Sequence, residues 1–409
     1  TYSAPASPAN RLREGIHLGS EPPNSSSTVQ YKSSSDAQRL RTASHSRGMA
    51  PDEKFAKGFW AAMSDDLDTP LALARTWEMA RDPKVFVMGQ GVDDARGMFG
   101  TTLGLHKEFG AERNFDVPLA EDAMTGIGIG AALMGMRPIQ VHQRMDFVLL
   151  CMNQIVNMAA KMSYMFSGAH KVPLVIRAII GRSWGQGAQH SQAFHSYFMH
   201  IPGLRVVAPT TPHDAKGCLI AAIRDDNPVI MIEHRMLHNV KGVVPAESYE
   251  IPYGKARILS PGKDVTIVGI SHMALECVRA KHLLETANVD AEVIDPVSLS
   301  PLDIETISKS VERTGRLLVV DTGWLSCGAS SEILSEVFER IGQRRPFVAK
   351  RLGYLPTPCP TTKILENLYY PSPQSISQAA YQLVRGAEAS AWLPGKVDSS
   401  EVAEFRGPF

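Results

Sequence analysis

Two stretches of the 409-residue chain combine proton-moving side chains with a backbone suited to presenting them. Glu121 and Asp122 open an otherwise apolar run, LAEDAMTGIGIGAALMG, laced with Gly126, Gly128 and Gly130. A carboxylate there can serve general acid–base chemistry, whereas the glycines raise the separate idea of a phosphate cradle. The cradle fails by position. A dinucleotide fingerprint needs GxGxxG directly after a strand; from Gly128 and Gly130 the third glycine falls on Leu133, with no strand immediately before. Gly126 and Gly130, four apart, share a helical face instead, where missing side chains let another helix approach. Glu121 stays open between a proton-transfer group and a first-turn acid favoured by the helix dipole. The second stretch is GRSWGQGAQHSQ, whose His190 lies in a loop, where an α/β scaffold usually presents catalytic groups. His195, His200 and His213 follow, but their spacing matches neither a metal-binding helix nor a zinc signature.

The elements that must position these residues alternate. KVFVMG (84–89) is a buried strand, 121–136 a helix and 137–141 a strand. Phe147 to Tyr164 forms a helix with Ile155, Met158 and Met162 on one face. VPLVIRAII (172–180) is a strand, and LRVVAPTTPHDAKGCLIAAIRDDNPVIMIEH gives strand, helix and strand. After a proline-bearing junction at about 239–262, DVTIVGI, AEVIDPVSL and GRLLVVD are strands separated by helices at 273–286 and 301–313, with another helix at 330–341. The pattern predicts an α/β protein of two doubly wound, mostly parallel domains, at 51–245 and 246–390. Residues 1–50, rich in Ser, read as a disordered tail, and 391–409 as a C-terminal tail. Thr69 and Pro70 read as an N-cap and first helical residue.

Composition removes whole classes of function. Lys+Arg and Asp+Glu balance at 42 each, so no overall charge points to nucleic acid or an anionic membrane. Five scattered cysteines with no CxxC pair exclude a zinc ribbon and a disulfide scaffold. No run approaches the ~18 apolar residues of a membrane span. The expected location is cytoplasmic, or an organelle matrix if residues 1–50 are a transit peptide, for which their arginines fit and Glu14, Glu21 and Asp36 do not.

Taken together, EDAMTGIGIGAALMGMRPI, MNQIVNMAAKMSYM, GAQHSQAFHSYFMHIPGLRVVAPTTPHDAKG and AAIRDDNPVIMIEH resemble the beta subunit of the thiamine-diphosphate-dependent 2-oxo acid dehydrogenases, as in pyruvate dehydrogenase. The likeness runs from about Thr69 to Gly386, its second half resembling the transketolase C-terminal domain (VTIVGI, AEVIDPVSLSPLD, LLVVDTGW). The resemblance implies a pyrimidine-binding fold followed by a transketolase C-terminal-like fold. It implies thiamine diphosphate shared with an alpha subunit that holds Mg²⁺, in an assembly of two alpha and two beta chains, and a lipoyl acyltransferase as acceptor partner. The GDG…N motif of the alpha side is not in this sequence.

Residue by residue, Glu121 matches the glutamate that bonds the pyrimidine nitrogen and promotes the imino tautomer needed for the ylid that attacks the 2-oxo acid. Phe147 matches an aromatic on the pyrimidine ring and Gln143 a polar position just before it; core packing and a solvated strand end are their plainer readings. His190 matches the histidine that passes the acyl group to lipoamide. Leu174, Ala222, Asp225 and Asn227 match a structural potassium site, although Asp225 and Asn227 also read as turn residues before Pro228. The sequence departs from the family at Gln90, Val141, His142, Arg144, Val297 and Ser300. Gln90 stands where a glutamate is usual, and Arg144 adds a cation able to read a carboxylate or phosphate on a substrate. His142, Arg144 and Gln90 keep open a transketolase-like or acyloin-forming carboligase; a third reading is a non-catalytic paralogue that scaffolds an alpha subunit, against which the retained Glu121 and His190 argue.

Overall fold

The computed structural model describes residues 78–94, 98–181, 185–238, 240–386 and 392–395. The tail expected at 1–50, the Thr69–Pro70 helix start and most of 391–409 lie outside them. Among the described residues, no helix is long and apolar enough to cross a membrane.

Two sheets organise the chain. The first takes β1 (Val85–Gly89), β2 (Asn114–Asp116), β3 (Arg137–His142), β4 (Val175–Ile180), β5 (Arg205–Val207) and β6 (Val229–His234). The second takes β7 (Arg257–Ser260), β8 (Val265–Gly269), β9 (Ala291–Asp295), β11 (Arg316–Trp324) and β12 (Val348–Tyr354), while β10 (Ser298–Ser300) returns to the first. Their orders are β10-β5-β6-β4-β3-β1-β2 and β12-β11-β8-β9-β7, parallel except for the pairs β10–β5 and β7–β9. Strands β1, β4, β6, β8 and β9 are buried along their whole length, as helices on both faces of a parallel sheet require. One apolar cluster draws on both sheets, joining Ile176 and Ile230 to Val268, Ile294 and Val319. The boundary expected near 245 falls between β6 and β7.

Arg177, the charge inside β4, is wholly buried against Glu233 of β6; Arg177 Nη2 donates to Glu233 Oε2 at 2.5 Å, and Nε to Oε1. Burial opposes the Glu233 charge, but Arg177 and the nearby His238 outweigh it and hold the carboxyl at about 2. An apolar strand thus carries a cation because the neighbouring strand carries its anion.

Two expected elements differ. AEVIDPVSL is not one strand: Pro296 removes a ladder donor and Val297 turns the chain at φ 55°, so β9 ends at Asp295 and β10 pairs antiparallel with β5. The helix expected at 147–164 begins as a 3₁₀ turn at Met145–Cys151, passes through a π turn at Gln154–Ala159 and ends as an α-helix at Ala160–Met165. The wide π turn shifts the buried face by about one residue. Ala159 therefore follows Ile155 inward, while Met158 is 42% exposed.

Candidate active site

The carboxyl ends of β1, β3 and β4, three neighbours in the sheet, meet at one edge, where ligands of open α/β sheets bind. Gly89 ends β1 opposite Val141, and a Cβ there would meet the Val141 carbonyl oxygen at 2.4 Å. Only glycine fits, and Gln90 follows it directly. His142 ends β3 and hands over to Gln143, while Ile180 ends β4 and opens the loop that carries His190.

Glu121 begins the Glu121–Leu133 helix. That helix has no side-chain N-cap, and Glu121 and Asp122 put negative charge in its first turn. Glu121 is half-buried and Asp122 exposed. Gln90 Nε2 donates to Glu121 Oε1 at 3.2 Å, and Gln143 Nε2 donates to the Gln90 carbonyl at 3.2 Å. Below them, Thr125 Oγ1 donates to the Glu121 carbonyl at 2.7 Å and Gln140 Nε2 to Thr125 Oγ1 at 2.9 Å. His142, buried on the same strand face as Gln140, is pushed down to about 4 by burial, with the Glu121 charge pulling the other way. It is a neutral imidazole at pH 7, and its Nε2 has no hydrogen-bond partner within the chain.

Phe147, 36% exposed, lies edge-on to the His190 ring with centroids 5.3 Å apart. Gly181 opens the His190 loop at φ 90°, and a Cβ there would strike the His234 ring at 2.3 Å. Asp146 receives Gln192 Nε2 at 2.9 Å and Gln192 N at 3.2 Å, and burial raises its carboxyl above the usual range. Gln90 thus links Glu121 to Gln143, Phe147 packs against His190, and both groups lie at the carboxyl ends of neighbouring strands.

Other sequence candidates go elsewhere. Gly128, rather than Gly130, faces the sheet: a Cβ there would lie 3.6 Å from Leu174 and Met88. A Cβ on Gly126 would lie 3.9 Å from Gln154 of the following helix, and one on Gly130 would meet nothing within 4 Å among the described residues. Among the described residues, the close-packing face expected of Gly126 and Gly130 is met only at Gly126. His195 is buried with Nε2 2.9 Å from Asp321 Oδ1, whose Oδ2 takes the Ser330 N–H at 2.8 Å, which makes it a structural pin. Among the described residues no group of three His, Cys, Asp or Glu is placed to hold a metal ion. Leu174, Ala222, Asp225 and Asn227 lie around the turn into β6. Asp225 Oδ1 takes both Asn227 N and Nδ2 at 2.9 Å, and Oδ2 pairs with Arg205. Its carbonyl accepts from Arg137 Nη1 at 3.0 Å, and that of Leu174 accepts from Val229 N at 2.9 Å. The side chains of Asp225 and Asn227 thus act as turn residues. Asp146 escaped sequence reading; its signal is an acid inside the apolar stretch RMDFVLL.

The donor set fits a flat, nitrogen-bearing ring: a carboxylate steadied by an amide, beside a partly exposed aromatic face. Residues 67–241 match the family model for the transketolase pyrimidine binding domain, and 254–376 that for the transketolase C-terminal domain. The chain is 42% identical over 321 residues to the beta subunit of an acetoin:2,6-dichlorophenolindophenol oxidoreductase of Cupriavidus necator, covering 76% of this chain and 95% of that one. It belongs to the transketolase-like beta-subunit family of the 2-oxo acid dehydrogenases. Within that family it is also 39% identical over 318 residues to the pyruvate dehydrogenase E1 beta subunit of Porphyra purpurea, with 78% and 96% covered. The mitochondrial E1 beta subunit of Pisum sativum is 39% identical over 307 residues, with 74% and 86% covered. A solved structure described as a split-gene transketolase, inactive beta4 tetramer, shares the fold at TM-score 0.63 and 21% identity, covering 77% of this chain and 96% of that one.

Proposed function

We propose that this chain supplies the pyrimidine side of a thiamine diphosphate site shared with an alpha subunit, in an enzyme that decarboxylates a small 2-oxo acid and passes the acyl group to lipoamide. The observation that carries the reading is the Gln90–Glu121 hydrogen bond set beside Phe147 and His190 at one sheet edge. When bound, thiamine diphosphate supplies the electron sink for decarboxylation. The chain's residues do the rest. Glu121 exchanges a proton with the ring nitrogen, Gln90 donates to its carboxylate and is itself held by Gln143 at its backbone carbonyl, and Phe147 offers an aromatic face to the pyrimidine. His190 moves a proton during acyl transfer.

A partner chain is supported by what this one leaves uncovered. Along the helix that Glu121 opens, Leu119 is 81% exposed, Ile127 58% and Met134 84%, and Leu150 of the next helical segment is 59% exposed, large apolar side chains of the kind that mark a subunit interface. The alpha subunit would cover them and bring the diphosphate and Mg²⁺ ligands. The named relatives bear on substrate too: the acetoin oxidoreductase subunit favours acetoin as a second reading.

The test is reconstitution with the alpha subunit, thiamine diphosphate and Mg²⁺, following dichlorophenolindophenol reduction with pyruvate and with acetoin, and acylation of a lipoyl domain. Pyruvate turnover with lipoyl acylation is the expected result. Turnover with acetoin alone moves the assignment to the second reading, carboligation of an added aldehyde without acylation replaces the acceptor, and no turnover with any of them overturns the proposal.

A further inference from the structure

Three consecutive residues tie the His190 loop to the segment that carries Phe147. Arg144 Nη1 donates to the Gly181 carbonyl at 2.9 Å, and Nη2 donates to Gln186 Oε1, so one guanidinium bonds the loop at its first residue and again four residues before His190. Met145 Sδ receives the Phe194 N–H at 3.1 Å, and Asp146 Oδ1 receives the Gln192 backbone and side-chain donors just beyond His190. Arg144 is 3% exposed, Met145 0% and Asp146 7%. A buried guanidinium and carboxylate are costly unless bonded, and the loop supplies bonds to both. The far side is backed as well: a Cβ on Gly185 would meet the Thr361 carbonyl oxygen at 2.4 Å, and one on Gly187 would meet Thr361 Cγ2 at 2.7 Å.

We infer that Arg144 and Asp146 are positioning residues, clamping the loop on either side of His190 so that its ring stands against Phe147 for acyl transfer. The bidentate reach of arginine suits this, since two acceptors on different parts of the loop are held by one rigid fork. The Arg144 guanidinium is bonded to the loop at both Nη atoms. The inference rests on the acyl-transfer role proposed for His190.

Holoenzyme assays separate the two. In Arg144→Ala, and more mildly in Gln186→Ala, lipoyl-domain acylation falls while dichlorophenolindophenol turnover stays within a few-fold. A misplacement of about 1 Å is worth about 100-fold, which sets the loss expected of Arg144→Ala. Asp146→Asn keeps an Oδ1 acceptor and retains acylation, whereas Asp146→Ala loses it. The double variant Arg144→Ala/His190→Ala is no worse than His190→Ala, because a residue acting through another adds nothing once that other is gone. Additive losses, equal losses in both assays or wild-type acylation in Arg144→Ala would overturn the clamp. Gln186, half-buried in the loop, decides the matter if the Arg144 and Asp146 variants fail to fold, and undiminished acylation there is likewise contrary. If His190→Ala itself leaves acylation intact, the acyl-transfer role falls rather than the clamp alone.

Discussion

Gln90 Nε2 lies 3.2 Å from Glu121 Oε1, so an uncharged amide donates to the carboxylate that opens the neighbouring helix. A carboxamide in this place donates to the glutamate and carries no negative charge of its own. Replacing Gln90 by Glu sets two carboxylates against each other, which disfavours the second charge. The acid limb of the pH–rate profile of the complex is expected to move up by about one unit, and an unmoved limb would remove Gln90 from the proton network.

His142 makes the fold acid-sensitive. Its folded value of about 4 lies below the usual histidine value of about 6.5. Between those values the unfolded chain takes up a proton that the folded chain refuses, so stability is fully present above pH 6.5 and is lost as pH falls towards 4. The loss is on the order of 3 kcal/mol. His142→Phe, measured by urea unfolding between pH 7.5 and 4.5, is expected to flatten this slope relative to the parent protein.

Lys216 fastens the segment between the two sheets. Its ammonium donates to the carbonyls of Ala246 at 3.2 Å and Glu247 at 2.9 Å, and to that of Pro245, while the residue is 1% exposed. Lys216→Met fills the volume but leaves these acceptors without their donor. A loss of about 3 kcal/mol is expected, seen as a lower urea midpoint with an unchanged slope.

Much of the fold was legible because its strands are apolar runs buried on both faces, as in VFVMG and VIRAII, alternating with helical stretches such as PHDAKGCLIAAIR. What escaped depends on contacts distant in sequence. The return of β10 to β5 is visible only once Val297 is seen to turn the chain, and the π turn after Asn153 leaves no compositional mark. The site divides the same way. Glu121 and His190 carry chemistry that residue type announces, although their roles came from resemblance. Gln90 reaches Glu121 across 31 residues and Asp146 reaches Gln192 across 46, so neither partnership could be read from spacing.

Glu121 is the residue on which the proposed proton transfer depends. Glu121→Gln keeps the shape of the side chain and removes the exchangeable carboxyl proton, so in the reconstituted complex thiamine diphosphate should still bind while turnover falls about 10²- to 10⁴-fold. Turnover close to that of the parent protein, with the cofactor bound, would contradict it.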